Sequence, residues 1–338
     1  MNEINVLYQF NEKYVPYALV SMTSVLENNV DVSIYVLGEG LSTDSVARIT
    51  EMVGSYGANV TFPDTAPLID KFKSLGMIPY RGAYSVYCRL FFTDLLKMTG
   101  KRVIYLDADT IVDKSLLPLM EYDLGGKSIG MVLESIRDDY KVMIGMSRTA
   151  DYFNSGVILF DVDKWVWGRY CEKLVGHIRN VRSSYIGDQD FLNIVCEGDV
   201  CRLPIIYNFQ PLHGRYSVKQ YFGAYPVRSA GDYYSIEEIE DAANGAVIFH
   251  CYRWLGEFPW NTNNWHPFGD KFDKYLCKVS WKGYGKEKAH YGFAIWAERV
   301  MYFLFPKALM IKVSRMGHEW MLRNAEDDAK RQLANKSS

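Results

Sequence analysis

None of the six cysteines (Cys88, Cys171, Cys196, Cys201, Cys251, Cys277) sits in a Cys-x-x-Cys pair or a compact framework. That spacing excludes a thiolate zinc site and a disulfide scaffold, and it points to reduced thiols in a cytoplasmic setting. No stretch offers the roughly 20 uncharged apolar residues that a spanning helix needs. The start, Met1-Asn2-Glu3-Ile4-Asn5, lacks the basic, then apolar, pattern of a secretory signal, so none is expected there. Neither sign of charge dominates, with 38 Lys and Arg against 40 Asp and Glu. Nucleic-acid binding therefore lacks its usual electrostatic footprint. The segment Tyr8-Gln9-Phe10-Asn11-Glu12 contains no glycine, which counts against the Gly-rich phosphate loop of a nucleotidyltransferase.

What is present is an ordinary globular composition, 49% hydrophobic over 338 residues. One large domain, or a domain with an appendage, is expected. Aromatics reach 15%, which suits sugar or base stacking as well as core packing. From Lys278 onward twelve basic residues face six acidic ones, leaving −8 on the rest of the chain.

The segment Val103-Ile104-Tyr105-Leu106-Asp107-Ala108-Asp109 carries the most chemical information. Its apolar run reads as a buried strand of a parallel sheet, ending where open α/β sheets place their ligands. On an extended chain residues i and i+2 face the same way, so both carboxylates converge on one point. Paired carboxylates there suit Mg²⁺ or Mn²⁺ carrying a substrate's phosphates. An Asp-containing turn is the plainer alternative.

Around this segment strand and helix patterns alternate, which favours α/β architecture. Strands are expected at Ile4–Tyr8, Val32–Leu37, Asn59–Phe62, Ser128–Leu133, Gly156–Asp161 and Ala246–His250. Helical spacing of Val15, Ala18, Leu19, Met22, Val25 and Leu26 follows the first strand, with Pro16 in its first turn. Ser42 or Thr43 caps a further helix. Tyr84–Met98 reads as a mostly buried helix carrying Arg89, whose guanidinium suits a carboxylate or a phosphate. Asp188 opens another helix as its N-cap, beside Gln189. Asn154 offers an amide to a sugar hydroxyl, or serves as a turn residue before Gly156. His250 ends an apolar strand, as a third metal ligand or an ordinary core histidine.

The region Phe293–Val313 is densely apolar but interrupted by Glu298, Arg299, Pro306 and Lys307. It reads as an interfacial helix pair, with Trp296, Tyr302, Phe303, Phe305 and Trp320 as anchors. Arg299, Lys307, Lys312, Arg315 and Arg323 then face anionic headgroups. Packing against the main domain is the alternative.

Four segments, VIYLDADTIV, YFNSGVILFD, GDQDFLN and an IFH strand end, together resemble the bacterial family 8 glycosyltransferases. The likeness runs from about Asn5 to Trp260. It implies an α/β fold of the GT-A type, with a mixed, mostly parallel central sheet flanked by helices over residues 1–277. Residues 278–338 would form a basic helical tail, holding the protein on the inner face of the cell membrane. The resemblance also implies a retaining hexosyltransferase using UDP-glucose or UDP-galactose, a glycan or glycolipid acceptor of the cell envelope, and Mn²⁺, with Mg²⁺ an alternative. On it, Asp107, Asp109 and His250 are metal ligands. Tyr8 and Asn11 contact uridine from the loop after the first strand, and Arg89, Ala108, Asn154 and Gly256 contact the donor. Asp188, Gln189 and Glu134 lie at the reacting sugars.

Two departures from the family pattern stand out. Asn11 replaces the usual aspartate, and Phe258 stands where the phosphate-binding lysine belongs, leaving Arg253 as a substitute cation. The alternative to an active enzyme is a sugar-nucleotide-binding protein that is non-catalytic or only hydrolyses its donor.

Overall fold

The computed structural model describes residues 3–80, 82–180, 186–224, 233–262, 264–279, 286–307, 309–313, 316 and 320. Nine strands are found among them: β1 Ile4–Asn11, β2 Val32–Glu39, β3 Asn59–Thr61, β4 Arg102–Asp107, β5 Thr110–Val112, β6 Ile129–Leu133, β7 Phe153–Asp161, β8 Val200–Arg202 and β9 Ile248–His250. Seven build one sheet in the order β3-β2-β1-β4-β7-β6-β8. The first four of that order are mutually parallel, β7 runs antiparallel to both neighbours, and β6 pairs parallel with β8. Central strands β4, β6 and β7 are almost wholly buried, the signature of a sheet covered on both faces. The expected mixed α/β sheet is what forms.

The helix Val15–Asn28 covers one face of β1, with Val15, Ala18, Leu19, Met22, Val25 and Leu26 all buried. Its polar residues are as purposeful as its apolar ones. Ser21 Oγ lies 3.0 Å from the Tyr8 hydroxyl and 3.2 Å from Thr110 Oγ1. Ser24 Oγ accepts the Val112 N–H at 2.9 Å. These bonds fasten β5, which lies outside the seven-stranded sheet and pairs antiparallel with β9.

Three expectations need correction. The buried segment Tyr84–Met98 is not a regular α-helix: it winds as 3₁₀ over Ser85–Phe91, with one α-turn at Phe92–Leu95. Tyr, Val, Cys, Phe and Thr are weak helix formers, and burial rather than propensity holds this stretch in place. Second, β1 extends through Asn11, so Tyr8 and Asn11 belong to a strand rather than a loop. Strand alternation sends Tyr8 into the core, fully buried with its hydroxyl on Ser21; its ring cannot meet a nucleotide. Third, Arg299 is buried and ion-paired with Glu257 at 2.9 Å, so it is no headgroup ligand.

Arg315 and Arg323 lie outside the described residues. Among those described, no helix is long and apolar enough to cross a membrane.

Candidate active site

Asp107 closes β4, Ala108 and Asp109 make a turn, and Thr110 opens β5. The carboxylates therefore meet through a turn and not through the i, i+2 alternation of an extended strand. Thr110 Oγ1 donates to the Asp107 carbonyl at 2.8 Å and tightens that turn. Ala108, between the two, is 6% exposed. The β5–β9 register sets Thr110 opposite His250, and the Cys251 N–H bonds the Asp109 carbonyl at 2.7 Å. A histidine more than 140 residues away in sequence is thereby brought beside the turn. His250 Nε2 lies 3.4 Å from Asp109 Oδ1 and 3.6 Å from Asp107 Oδ2. One ligand atom from each of the three residues falls within 4.8 Å of the others.

The imidazole is aimed from behind. Its Nδ1 lies 3.0 Å from Asn208 Oδ1; with the proton there, Nε2 presents its lone pair to the carboxylates. Gly156 makes room for the ring, since a Cβ at that position would stand 2.2 Å from His250 Cε1. Burial works against a charged imidazole, but Asp109, then Asp107 and Glu134, raise its pKa above the ordinary value. Two hard oxygens and one oriented nitrogen fit a divalent cation such as Mn²⁺ or Mg²⁺.

Arg89 joins the rest of the acidic site. Its Nη1 donates to Asp107 Oδ1 at 2.8 Å and to the Ser155 carbonyl at 3.0 Å, and Nη2 donates to Asp188 Oδ1 at 2.7 Å. Nε pairs with the second Asp188 oxygen, and the guanidinium lies 4.3 Å over the Tyr105 ring. Burial disfavours its charge, yet Asp188 foremost, with Tyr105 and Asp107, raises its pKa. Asp188 is accordingly not the expected N-cap. Gly187 holds that position, and the Asp188 carboxylate is drawn to Arg89.

Gln189 and Asn154 are equally constrained. Gln189 Oε1 accepts the Ser155 N–H at 3.0 Å, and Nε2 donates to the Tyr152 hydroxyl at 3.2 Å. Asn154 Nδ2 donates to Glu134 Oε2 at 2.7 Å, while its Oδ1 accepts from Gly156 N and Asn208 Nδ2. Burial raises the Glu134 carboxyl above the usual range despite hydrogen bonds from Asn154 and Ser135.

Gly256 and Phe258 lie apart from this cluster. Gly256 has φ +80°, and a Cβ there would come 2.4 Å from Ile295 Cγ2. The close approach that its missing Cβ permits is to the C-terminal helix. Phe258 stacks on Trp260 at 4.4 Å, and Trp260 stacks on Tyr17 at 4.0 Å. Arg253 is exposed. Asn11 accepts from the Lys13 N–H and caps a short 3₁₀ turn at the end of β1.

Sequence reasoning missed four residues. Asn208 and Gln210, both fully buried, hold His250 and Glu134, with Gln210 Nε2 3.3 Å from Glu134 Oε2. Tyr252 donates to Gln210 Oε1 at 3.3 Å. Gln9 stands in register with Asp107 across β1 and β4, and its Oε1 is buried with no hydrogen-bond partner among the described residues. The available signal was the polar alternation about Phe209 in the apolar stretch Leu203–Pro211.

A mixed sheet with a D-x-D turn and a distant histidine at the carboxyl ends of its strands defines a GT-A glycosyltransferase fold. The chain belongs to glycosyl transferase family 8, whose family model matches residues 5–244. It is 24% identical over 270 residues to general stress protein A of Bacillus subtilis, covering 79% of this chain and 89% of that protein. It is 27% identical over 216 residues to a lipopolysaccharide 1,2-glucosyltransferase of Escherichia coli, covering 61% of this chain and 62% of that enzyme. Among solved structures, the galactosyltransferase LgtC with donor and acceptor sugar analogs superposes with a TM-score of 0.66 at 23% identity. That match covers 82% of this chain and 97% of LgtC, and it speaks for the fold.

Replacing Asn208 by alanine leaves His250 Nδ1 without its acceptor. Should the three residues hold a divalent cation, its affinity, measured by titration calorimetry with Mn²⁺ as the probe, is expected to fall about 10–100-fold, the usual effect of losing such an outer partner.

Proposed function

We propose that the chain is a retaining hexosyltransferase that moves glucose or galactose from a UDP-sugar to a saccharide of the cell envelope, with Mn²⁺ held by Asp107, Asp109 and His250. The observation that carries this reading is the convergence of those three side chains within 4.8 Å, on an imidazole already oriented by Asn208. A bound divalent cation supplies Lewis-acid stabilisation of the charge that gathers on the departing diphosphate.

The chain's own residues do the rest. Arg89 fixes Asp107 for the metal and Asp188 for the donor sugar, so neither carboxylate swings during turnover. Gln189, an amide pinned by Ser155 and Tyr152, is a poor nucleophile; it supports a sugar with oxocarbenium character rather than attacking it. Retention then follows a front-face path. The bond from C1 to the diphosphate oxygen breaks with its electron pair on that oxygen. The acceptor hydroxyl bonds C1 from the same face and passes its proton to the departing phosphate. Glu134, hydrogen-bonded to Asn154 and Gln210, stands beside the sugars as an oriented polar contact.

The outer face of the helix Phe293–Leu304 supports a second element of the proposal. Phe293 and Trp296 stack at 5.5 Å and are 79% and 50% exposed, and Leu304 is 74% exposed. Exposed Lys307 and Lys312 follow. An apolar face beside basic residues suits an anionic membrane surface, where a glycolipid acceptor would be met.

Three outcomes test the proposal. Asp109→Ala is expected to lower Mn²⁺-dependent UDP-hexose turnover roughly 10²–10³-fold, as for loss of a principal electrostatic stabiliser, with the circular dichroism spectrum unchanged. Undiminished turnover would remove the metal assignment. Gln189→Ala should reduce kcat by about tenfold or more while KM for the donor moves little; parallel losses would make it a binding residue only. Finally, Phe293→Ser combined with Trp296→Ser should release the protein from phosphatidylglycerol vesicles in a flotation assay, whereas equal flotation with the parent chain argues against membrane contact.

A further inference from the structure

The inner face of the same C-terminal helix meets the segment that follows His250, and we infer that Arg299 on this face is a positioning residue for the donor site. This inference rests on the transferase reading above. Arg299 is 7% exposed. Its Nη1 donates to the Leu255 carbonyl at 3.0 Å, and Nη2 pairs with Glu257 Oε1 at 2.9 Å. The guanidinium also lies 4.7 Å over the Trp265 ring and 4.8 Å over Tyr291. The second Glu257 oxygen accepts the Trp265 N–H at 3.1 Å. Arg299 thus grips both ends of a turn through donors that only a planar fork supplies together.

The turn needs such a grip. Leu255 has φ +45° and Gly256 φ +80°. A non-glycine residue in the left-handed region persists only when its surroundings over-determine it. Here the carbonyl of the strained Leu255 is the group that Arg299 holds. Gly256 lies against Ile295 and Tyr291, and Trp254 packs edge-on to Tyr302 at 5.3 Å.

From this turn two paths lead to the site. Tyr252 lies 5.2 Å from the His250 ring, and its hydroxyl bonds Gln210, which bonds Glu134. Its carbonyl accepts from His266 Nε2 at 3.0 Å. On the other side Phe258 and Trp260 stack toward Tyr17, at the start of the helix that follows Asn11. The segment therefore bears on the His250–Glu134 side of the site and on the start of the helix that follows β1. The metal ligands are anchored separately, since β9 is held by β5 and by Phe209. Releasing Arg299 loosens this segment while the β5–β9 pairing that carries His250 stays in place.

The test uses the full chain as Arg299→Met, Arg299→Lys and Glu257→Gln. Mn²⁺ affinity alone, UDP affinity in saturating Mn²⁺, donor KM and kcat, and amide exchange over residues 252–260 are measured for each. Arg299→Met and Glu257→Gln are expected to weaken UDP binding about tenfold, the scale of one charged anchor. Donor KM should rise more than kcat falls, Mn²⁺ affinity should stay within about twofold, and exchange over 252–260 should accelerate. Arg299→Lys, which keeps the pair with Glu257, should fall between the parent and the methionine variant. Unchanged UDP affinity, or equal losses of Mn²⁺ and UDP affinity, overturns the positioning role. If Arg299→Met does not fold, the milder Glu257→Gln decides by the same criteria. A parent chain that binds no UDP sinks the transferase reading; unchanged exchange over 252–260 in the variants sinks this inference.

Discussion

A single buried guanidinium holds the acidic centre together. Asp107, Asp109, Glu134 and Asp188 crowd the carboxyl ends of β4 and β6 and the amino end of the antiparallel β7, and such a concentration of negative charge in a largely buried place would not persist unpaired. Arg89 bridges Asp107, at the start of the D-x-D turn, to Asp188 with two-pronged geometry. Removing one partner from a buried ion pair costs about 3–5 kcal/mol, because the survivor is stranded. The arrangement also explains why Asp188 leaves the capping position to Gly187. A charged partner in the interior outweighs a helix N-terminus that neighbouring groups satisfy in other ways.

Around this pair runs a chain of hydrogen bonds: His250 to Asn208, Asn208 to Asn154, Asn154 to Glu134, Glu134 to Gln210, and Gln210 to Tyr252. Every member is buried or half-buried, and each uses its polar side-chain atoms on a neighbour. A network satisfied in this way costs little to bury and leaves few alternative rotamers. It fixes the direction of the His250 ring and the face of Glu134 before any substrate arrives. Preorganisation of that kind is what an electrostatically driven group transfer requires.

The C-terminal helix has two unlike faces. Phe293, Trp296 and Leu304 point to solvent, while Ile295, Arg299 and Tyr302 lock the segment after His250. From sequence the basic and aromatic residues looked like one population meant for one surface. The fold divides them: Arg299 goes inward to Glu257, Lys307 and Lys312 remain outside. The departure at Phe258 is resolved similarly. The position expected to carry a cation instead continues an aromatic stack through Trp260 to Tyr17.

What the sequence determined unaided was local. Apolar runs ending in Asp107, Asp161 and His250 marked where strands stop, and helical spacing marked the cover over β1, because both patterns repeat within a few residues. It also supplied the three candidate ligands, each conspicuous as a polar group at the end of a buried run. Tertiary structure alone decided how they meet. The β5–β9 register carries His250 to Asp109, a turn rather than strand alternation joins the two aspartates, and Tyr8 faces the core instead of the cleft. Asn208 and Gln210 acquire their roles only through contacts with residues dozens of positions away. Such pairings depend on which surfaces the folded chain brings together, and no periodicity along one segment records them.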